Sequence, residues 1–316
     1  MEPKTLQEAI LYFSRLDNCR EYLLARRWPN GVTCPRCGSQ HVIFQPKYNR
    51  WQCGKQHPRR QFTLKTGTIF EDSPIGLDKW LAAMWMVVNC KNGVSSYEIA
   101  RALDVTQKTA WFMNHRIRFA LNEAATGRLS GHVEADETFI GGKARNMHVA
   151  KRLRRITGTG GKDKTTVMGI LERGGQVRTV VLPNRRKHAV QAEVKRHVEA
   201  GAALYTDALL SYDGLAAEYA HKVIDHAVKY VDGHVHTNGL ENFWSLFKRG
   251  INGTYVSVEP FHLFRYLDEQ TFRYNHAKGM KDADRFRLAV SQIVGKRLQF
   301  DQLTGKTEGY SAIPVC

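Results

Sequence analysis

Apolar residues recur along this chain with two different periods, and the change between them divides it. Over Leu6 to Leu24 they return every three or four positions, which predicts a short amphipathic helix. Residues 78–90 are apolar almost all round and end near Gly93, as a buried helix would. Ser95-Ser96-Tyr97-Glu98 places Ser and Glu three apart, the capping box that opens a helix over 97–103. Thr106 can cap another, running to about Asn122. Its stripe is Ala110, Met113, Ile117, Ala120 and Leu121; its other face carries Gln107, Lys108, Asn114, Arg116 and Arg118. From about residue 130 the period drops to two. His132 to Ile140 alternates as a strand, with Glu134, Asp136 and Thr138 on one face. Residues 165–171 and 177–182 read as two more strands joined at Gly174-Gly175. A helix over 188–199, a strand over 203–206 and a helix over 241–249 follow.

This order predicts an α/β protein with four zones. Residues 1–72 hold the first helix and a cysteine cluster, 73–125 are helical, 126–290 alternate strand and helix, and 291–316 form a polar tail. The last dozen residues read as loosely ordered. A short helix, a tight turn and a polar, basic second helix make residues 95–122 a helix-turn-helix candidate for DNA.

Charge sharpens that reading. Among 316 residues, 47 Lys and Arg outweigh 30 Asp and Glu, a net charge of +17. Such a surface attracts polyanions, and nucleic acid is the leading partner. No apolar stretch approaches the roughly 20 residues that span a bilayer, and the first residues lack a signal peptide's apolar centre. Three of the six cysteines cluster and three stand alone, which suits a reducing compartment and a metal site, not a disulfide framework.

The cluster is Cys34, Cys37, Cys53 and His57, in the pattern Cys-x2-Cys-x15-Cys-x3-His. Two close ligand pairs separated by a hairpin's length of chain suit tetrahedral, structural Zn²⁺. His41 is an alternative fourth ligand. Lys55, Arg59 and Arg60 lie beside the cluster and are candidates for phosphate contact.

Three acids fall on separate elements of the α/β zone: Asp136 in its first strand, Asp207 at the end of a later one, and Glu241 at the start of a helix. Ligands gather at such strand ends. Oxygen donors of this kind suit Mg²⁺, and two such ions support phosphoryl transfer. Lys248 lies seven residues beyond Glu241, on the same helix face.

Several stretches together resemble the ISXO-like insertion-sequence transposases, relatives of the Merlin elements. They are Cys34-Pro-Arg-Cys37; Thr66-Gly-Thr-Ile-Phe70; Val133-Glu-Ala-Asp-Glu-Thr-Phe-Ile-Gly-Gly142; Tyr205-Thr-Asp207; His236-Thr-Asn-Gly-Leu-Glu-Asn-Phe-Trp-Ser-Leu-Phe-Lys-Arg249; and Phe272-Arg-Tyr-Asn275. The resemblance implies a ribonuclease-H-like mixed-sheet core with an N-terminal zinc ribbon. It also implies Mg²⁺ ligands at Asp136, Asp207 and Glu241, with Mn²⁺ able to substitute, and a DNA-contacting Lys248. Asn238 is a lesser candidate for the third ligand, and His236 belongs to the same matched stretch. Double-stranded DNA would be the partner, as terminal inverted repeats and target, and joining two ends implies at least a dimer. The expected location is the prokaryotic cytoplasm, with the nucleoid. DNA contacts are expected from Lys108, Asn114, Arg116, Arg118, Lys248 and Arg249. They are also expected from the basic loop with Lys151, Arg152, Arg154 and Arg155. Rival readings are a DNA-binding regulator with an inactive core, or a structure-specific nuclease that never joins strands.

Overall fold

Burial of the two kinds of periodic segment produces two units. In the computed structural model, which describes residues 2–141, 148–150, 164–224 and 236–305, the described residues up to Glu123 and from His276 to Gly305 form one unit, and those within Ala124–Asn275 the other.

The first unit is built on the all-round apolar helix. It is α3 (Leu77–Asn89), after α1 (Leu6–Phe13) and α2 (Leu16–Arg27) and before α4 (Ser96–Leu103) and α5 (Gln107–Leu121). Trp80, Leu81, Ala83, Met84, Trp85, Val87 and Val88 of α3 are all buried. The single amphipathic helix expected over 6–24 is two. Asn18 Nδ2 donates to the Tyr12 carbonyl at 2.8 Å and Cys19 Sγ to that of Phe13 at 3.0 Å, so side chains satisfy the carbonyls that end α1. Burial pushes the Cys19 thiol up to about 12, as suits an inert core cysteine. The expected caps are present at Ser95, with its capping box, and at Thr106.

Residues 276–305 do not extend the α/β region but pack within this first unit. Phe286, on the helix Asp282–Ser291, meets Phe13, Tyr22 and Trp85. Leu298 and Leu303 are buried as well. Apolar side chains scattered through a polar, basic stretch are a weak signal, which is why residues up to 290 read as part of the α/β zone and 291–316 as a tail. Residues 306–316 lie outside the described residues.

A three-stranded antiparallel ribbon completes this unit: β1 (Val42–Gln45), β2 (Arg50–Cys53) and β3 (Gln61–Phe62). Trp51 stacks on Phe62 and meets Phe44 and Trp28, the apolar backing of a small lobe.

The second unit is a five-stranded mixed sheet in the order β6-β5-β4-β7-β8. Its strands are β4 (His132–Ile140), β5 (Thr165–Glu172), β6 (Val177–Leu182), β7 (Ala203–Asp207) and β8 (Ala220–Ile224). The first three pair antiparallel; β4, β7 and β8 run parallel. This is the mixed sheet of a ribonuclease-H-like core. The edge strand β8 was not expected, since Ala-His-Lys-Val-Ile lacks apolar alternation. It is held by parallel pairing to β7. One sheet face buries Val133, Ala135, Met168 and Ile170 with α6 (Lys187–His197). The other buries Ile140, Val167 and Leu171 under α7 (Asn238–Gly250), joined by residues of α8 (Leu263–Asn275). No helix among the described residues is long and apolar enough to cross a membrane.

Candidate active site and metal centre

In the ribbon, one ligand atom each from Cys34, Cys37, Cys53 and His57 lie within 4.8 Å of one another. Cys34 Sγ is 3.5 Å from His57 Nε2, and Cys37 Sγ is 3.6 Å from Cys53 Sγ. His57 Nδ1 lies 2.8 Å from the Pro58 carbonyl oxygen. That bond places the proton on Nδ1 and leaves Nε2 as the donor atom, as a metal-bound imidazole requires. The Ser39 backbone amide pulls the Cys37 thiol below its ordinary value, favouring thiolate. Three thiols and an imidazole at this spacing fit structural zinc. His41 is not in the cluster. Its ring packs against Gly54, where an added Cβ would stand 2.2 Å from Nδ1. Lys55 and Arg59 are exposed beside the knuckle, while Arg60 is tied to the Cys53 carbonyl at 3.0 Å.

The carboxylates are assembled differently. Parallel pairing sets His132 beside Ala203, Val133 beside Leu204 and Glu134 beside Tyr205. Carried two residues further, the same register sets Asp136, in the middle of β4, beside Asp207 at the end of β7. Both then lie on the face that α7 covers, since residues two apart share a face. Glu241 stands in the first turn of α7. Burial raises the Asp136 carboxyl to about 6, and the negative charges of Asp207 and, more weakly, Glu241 add to the rise. Trp244, one turn beyond Glu241, donates from Nε1 to Asp136 Oδ2 at 3.0 Å. Asp207 Oδ1 accepts from the Leu209 amide at 3.2 Å. Three hard oxygen donors gathered around the buried Asp136 fit a divalent cation, whose charge relieves the repulsion there. They are not drawn as tight as the ribbon ligands; among the described residues only the Cys3His set closes to that degree.

Two glycines let α7 come close. A Cβ on Gly169, opposite Asp136 in β5, would stand 2.7 Å from the Trp244 ring. A Cβ on Gly239 would stand 2.3 Å from Leu171 and 2.8 Å from Glu134 Oε2.

On the opposite side of β4, Glu137 is raised to about 7. Burial is the largest cause, and Asp207 and Asp136 add to it against the hydrogen bond from Tyr212. Tyr212 is fully buried. It lies five residues past Asp207, in the 3-10 turn Leu210–Tyr212, so Glu137 anchors the segment that leaves the strand end. Sequence reasoning missed Glu137, Tyr212 and Trp244. Only Trp244 left a legible trace, its place three residues past Glu241 on one helical face.

The expected DNA contacts part company. Lys248 and Arg249 are exposed on α7, and Asn238 is exposed at its start. Lys108 is exposed in the first turn of α5, its Nζ 4.9 Å from the Phe300 ring centre. Asn114, Arg116 and Arg118 are corrected: they are 1%, 5% and 2% exposed. Arg116 donates to the carbonyls of Leu298 at 3.1 Å, Ile69 at 2.9 Å and Glu71 at 2.8 Å, holding the unit together from inside. The face that looked polar in sequence is buried by residues distant in the chain. Lys151, Arg152, Arg154 and Arg155 lie outside the described residues.

Comparison with known proteins agrees with both halves. Residues 128–275 match the model of the ISXO2-like transposase domain, and residues 17–55 that of the transposase zinc-ribbon domain. An uncharacterized protein in the transposable element ISH50 of Halobacterium salinarum is 31% identical over 247 residues, covering 73% of this chain and 81% of that relative. No solved structure matches the chain.

Proposed function

Since the chain belongs to the ISXO2-like transposase family, we propose that it cleaves DNA at the ends of a mobile element and joins them to target DNA. The observation that carries this reading is the strand register that sets Asp136 and Asp207 on the sheet face covered by α7, whose first turn bears Glu241. Asp136, Asp207 and Glu241 would hold two Mg²⁺, or Mn²⁺ in their place. Bound there, the ions supply activation of the attacking oxygen and neutralise charge on the leaving one. Trp244 fixes the orientation of Asp136. Lys248, exposed two turns beyond Glu241, binds a phosphate near the scissile bond. Water attacks the phosphodiester, and the 3′-oxygen leaves and takes up a proton. That 3′-hydroxyl then attacks a target phosphodiester, loses its proton, and expels a second 3′-oxygen.

The zinc ribbon and the helix-turn-helix would read the terminal inverted repeats. With the later part of α5 buried, reading falls to its first turn, with Gln107 and Lys108, as in helix-turn-helix docking where N-terminal residues of the second helix meet the bases. Work on two ends calls for at least a dimer.

The test is cleavage of DNA carrying the element's own ends, with Mg²⁺ or Mn²⁺. Asp136→Asn should bind those ends as the wild type does. Its cleavage should fall further than the roughly 10–100-fold that outer partners of a metal site carry. Wild-type protein that binds the ends but cuts under neither metal would favour the regulator reading. Cutting without joining would favour a nuclease.

A further inference from the structure

Three carboxylates on separate elements repel one another, so something must hold their spacing in the metal-free protein. A second layer of polar groups and rings lies one step behind each. Glu134 is two residues before Asp136, Tyr205 two before Asp207, and Leu240 next to Glu241. All three meet in one network.

Glu134 is 1% exposed. One of its oxygens accepts from Arg173 Nε at 2.8 Å, and the other from the Leu240 amide at 3.0 Å. A buried carboxylate costs several kcal/mol unless paired, and here it is paired with a cation and set at a helix N-terminus that favours negative charge. Gly239 makes the approach possible, since any Cβ there would crowd Glu134 Oε2. Arg173 does more than neutralise it. Its guanidinium lies 4.1 Å from the centre of the Tyr205 ring and donates to the His236 carbonyl just before α7. The Tyr205 hydroxyl is 2.7 Å from His132 Nδ1, at the start of β4. The hairpin that carries Arg173 is itself fixed. Asn275 Oδ1 accepts from the Val177 amide at 2.8 Å, and Asn275 Nδ2 donates to the Val177 carbonyl at 3.1 Å.

We propose that Arg173 is the positioning residue that sets the spacing of Asp136, Asp207 and Glu241, by tying Glu134, Tyr205 and His236 into one network. It acts because each partner sits within a few residues of one carboxylate on a different element. A lysine cannot replace it, because an ammonium lacks the planar fork that reaches two acceptors while stacking on a ring. The inference rests on the transposase reading above.

The experiment is Mn²⁺ binding to the full-length protein, followed by electron paramagnetic resonance, with zinc content and thermal midpoint measured alongside. Arg173→Lys and Glu134→Gln should each keep the zinc and the fold yet weaken Mn²⁺ binding by about 10–100-fold, the range for residues that orient metal ligands. The double variant should lose little more than either alone, because both act through one network. Variants that fold and bind Mn²⁺ as the wild type does would overturn the inference. If Arg173→Lys fails to fold, Glu134→Gln decides alone, since it keeps volume and an acceptor for the Leu240 amide. Wild type and Asp136→Asn binding Mn²⁺ equally, or neither binding it, would instead overturn the carboxylate reading and this inference with it.

Discussion

The ribbon centre and the carboxylate site show two ways of gathering charged donors. Cys34, Cys37, Cys53 and His57 come from one short segment, and two knuckles with a hairpin between them suffice to bring them within 4.8 Å. Asp136, Asp207 and Glu241 are separated by 70 and 33 residues of intervening chain, and no local geometry joins them. They are placed by strand register, by two glycines under α7 and by the network behind them. A local site can be folded by its metal. A distributed site must be folded before its metal arrives, and its mutual repulsion is borne by the rest of the domain.

Zinc removal should break that comparison most strongly. Structural zinc contributes folding free energy of order 10 kcal/mol in small domains. A thiol-competent chelator, or Cys37→Ser, should therefore unfold the ribbon outright. Limited proteolysis should then cut within residues 30–62, and Trp28 and Trp51 fluorescence should shift toward that of exposed indole. Hydrogen exchange in the β5–β6 hairpin should stay slow. Loss of protection there on chelation would mean that the carboxylate sheet depends on the ribbon after all.

Gly169→Ala should sharpen it at intermediate cost. The new methyl group meets the buried Trp244 ring at 2.7 Å and Leu240 at 2.8 Å, and overpacking of this kind costs about 1–3 kcal/mol. Because Trp244 holds Asp136, cleavage should fall as well. An unchanged thermal midpoint and full activity would show that α7 rides further from the sheet than the geometry says.

The smallest effect is expected away from both sites, at Glu123. Burial works against its charge, but hydrogen bonds from His276 and Gln292 outweigh burial and hold its carboxyl below the ordinary value. A depressed carboxyl stabilises the fold above its unfolded value near 4.5, and the contribution is lost as pH falls through the lower folded one. Glu123→Gln should cost about 1 kcal/mol or less at pH 7 and less again at pH 3, where the charge is being lost. Thermal melts at the two pH values decide it; an equal loss at both would point to packing and not charge.

The sequence carried whatever depends on neighbours along the chain. The knuckle spacing named the zinc ligands, leaving only His57 or His41 to settle, and the close set excludes His41. Capping residues Ser95 and Thr106 marked helix starts, and alternation over 132–140 put Asp136 and Glu134 on one face. What it did not carry is what depends on contacts between distant segments. Arg116 reads as a surface cation until the carbonyls of Ile69, Glu71 and Leu298 converge on it. Residues 276–290 read as part of the α/β zone until Phe286 enters an aromatic cluster of the N-terminal helices, and 291–305 as a tail until Ile293, Leu298 and Leu303 are buried. Arg173, beside the Gly174-Gly175 turn, carries no signal in the sequence until the sheet brings Glu134, Tyr205 and α7 around it. The reason is physical. Periodicity and spacing fix backbone conformation and the facing of side chains over a few residues, while burial and charge pairing depend on which faces meet, and only the assembled tertiary structure decides that.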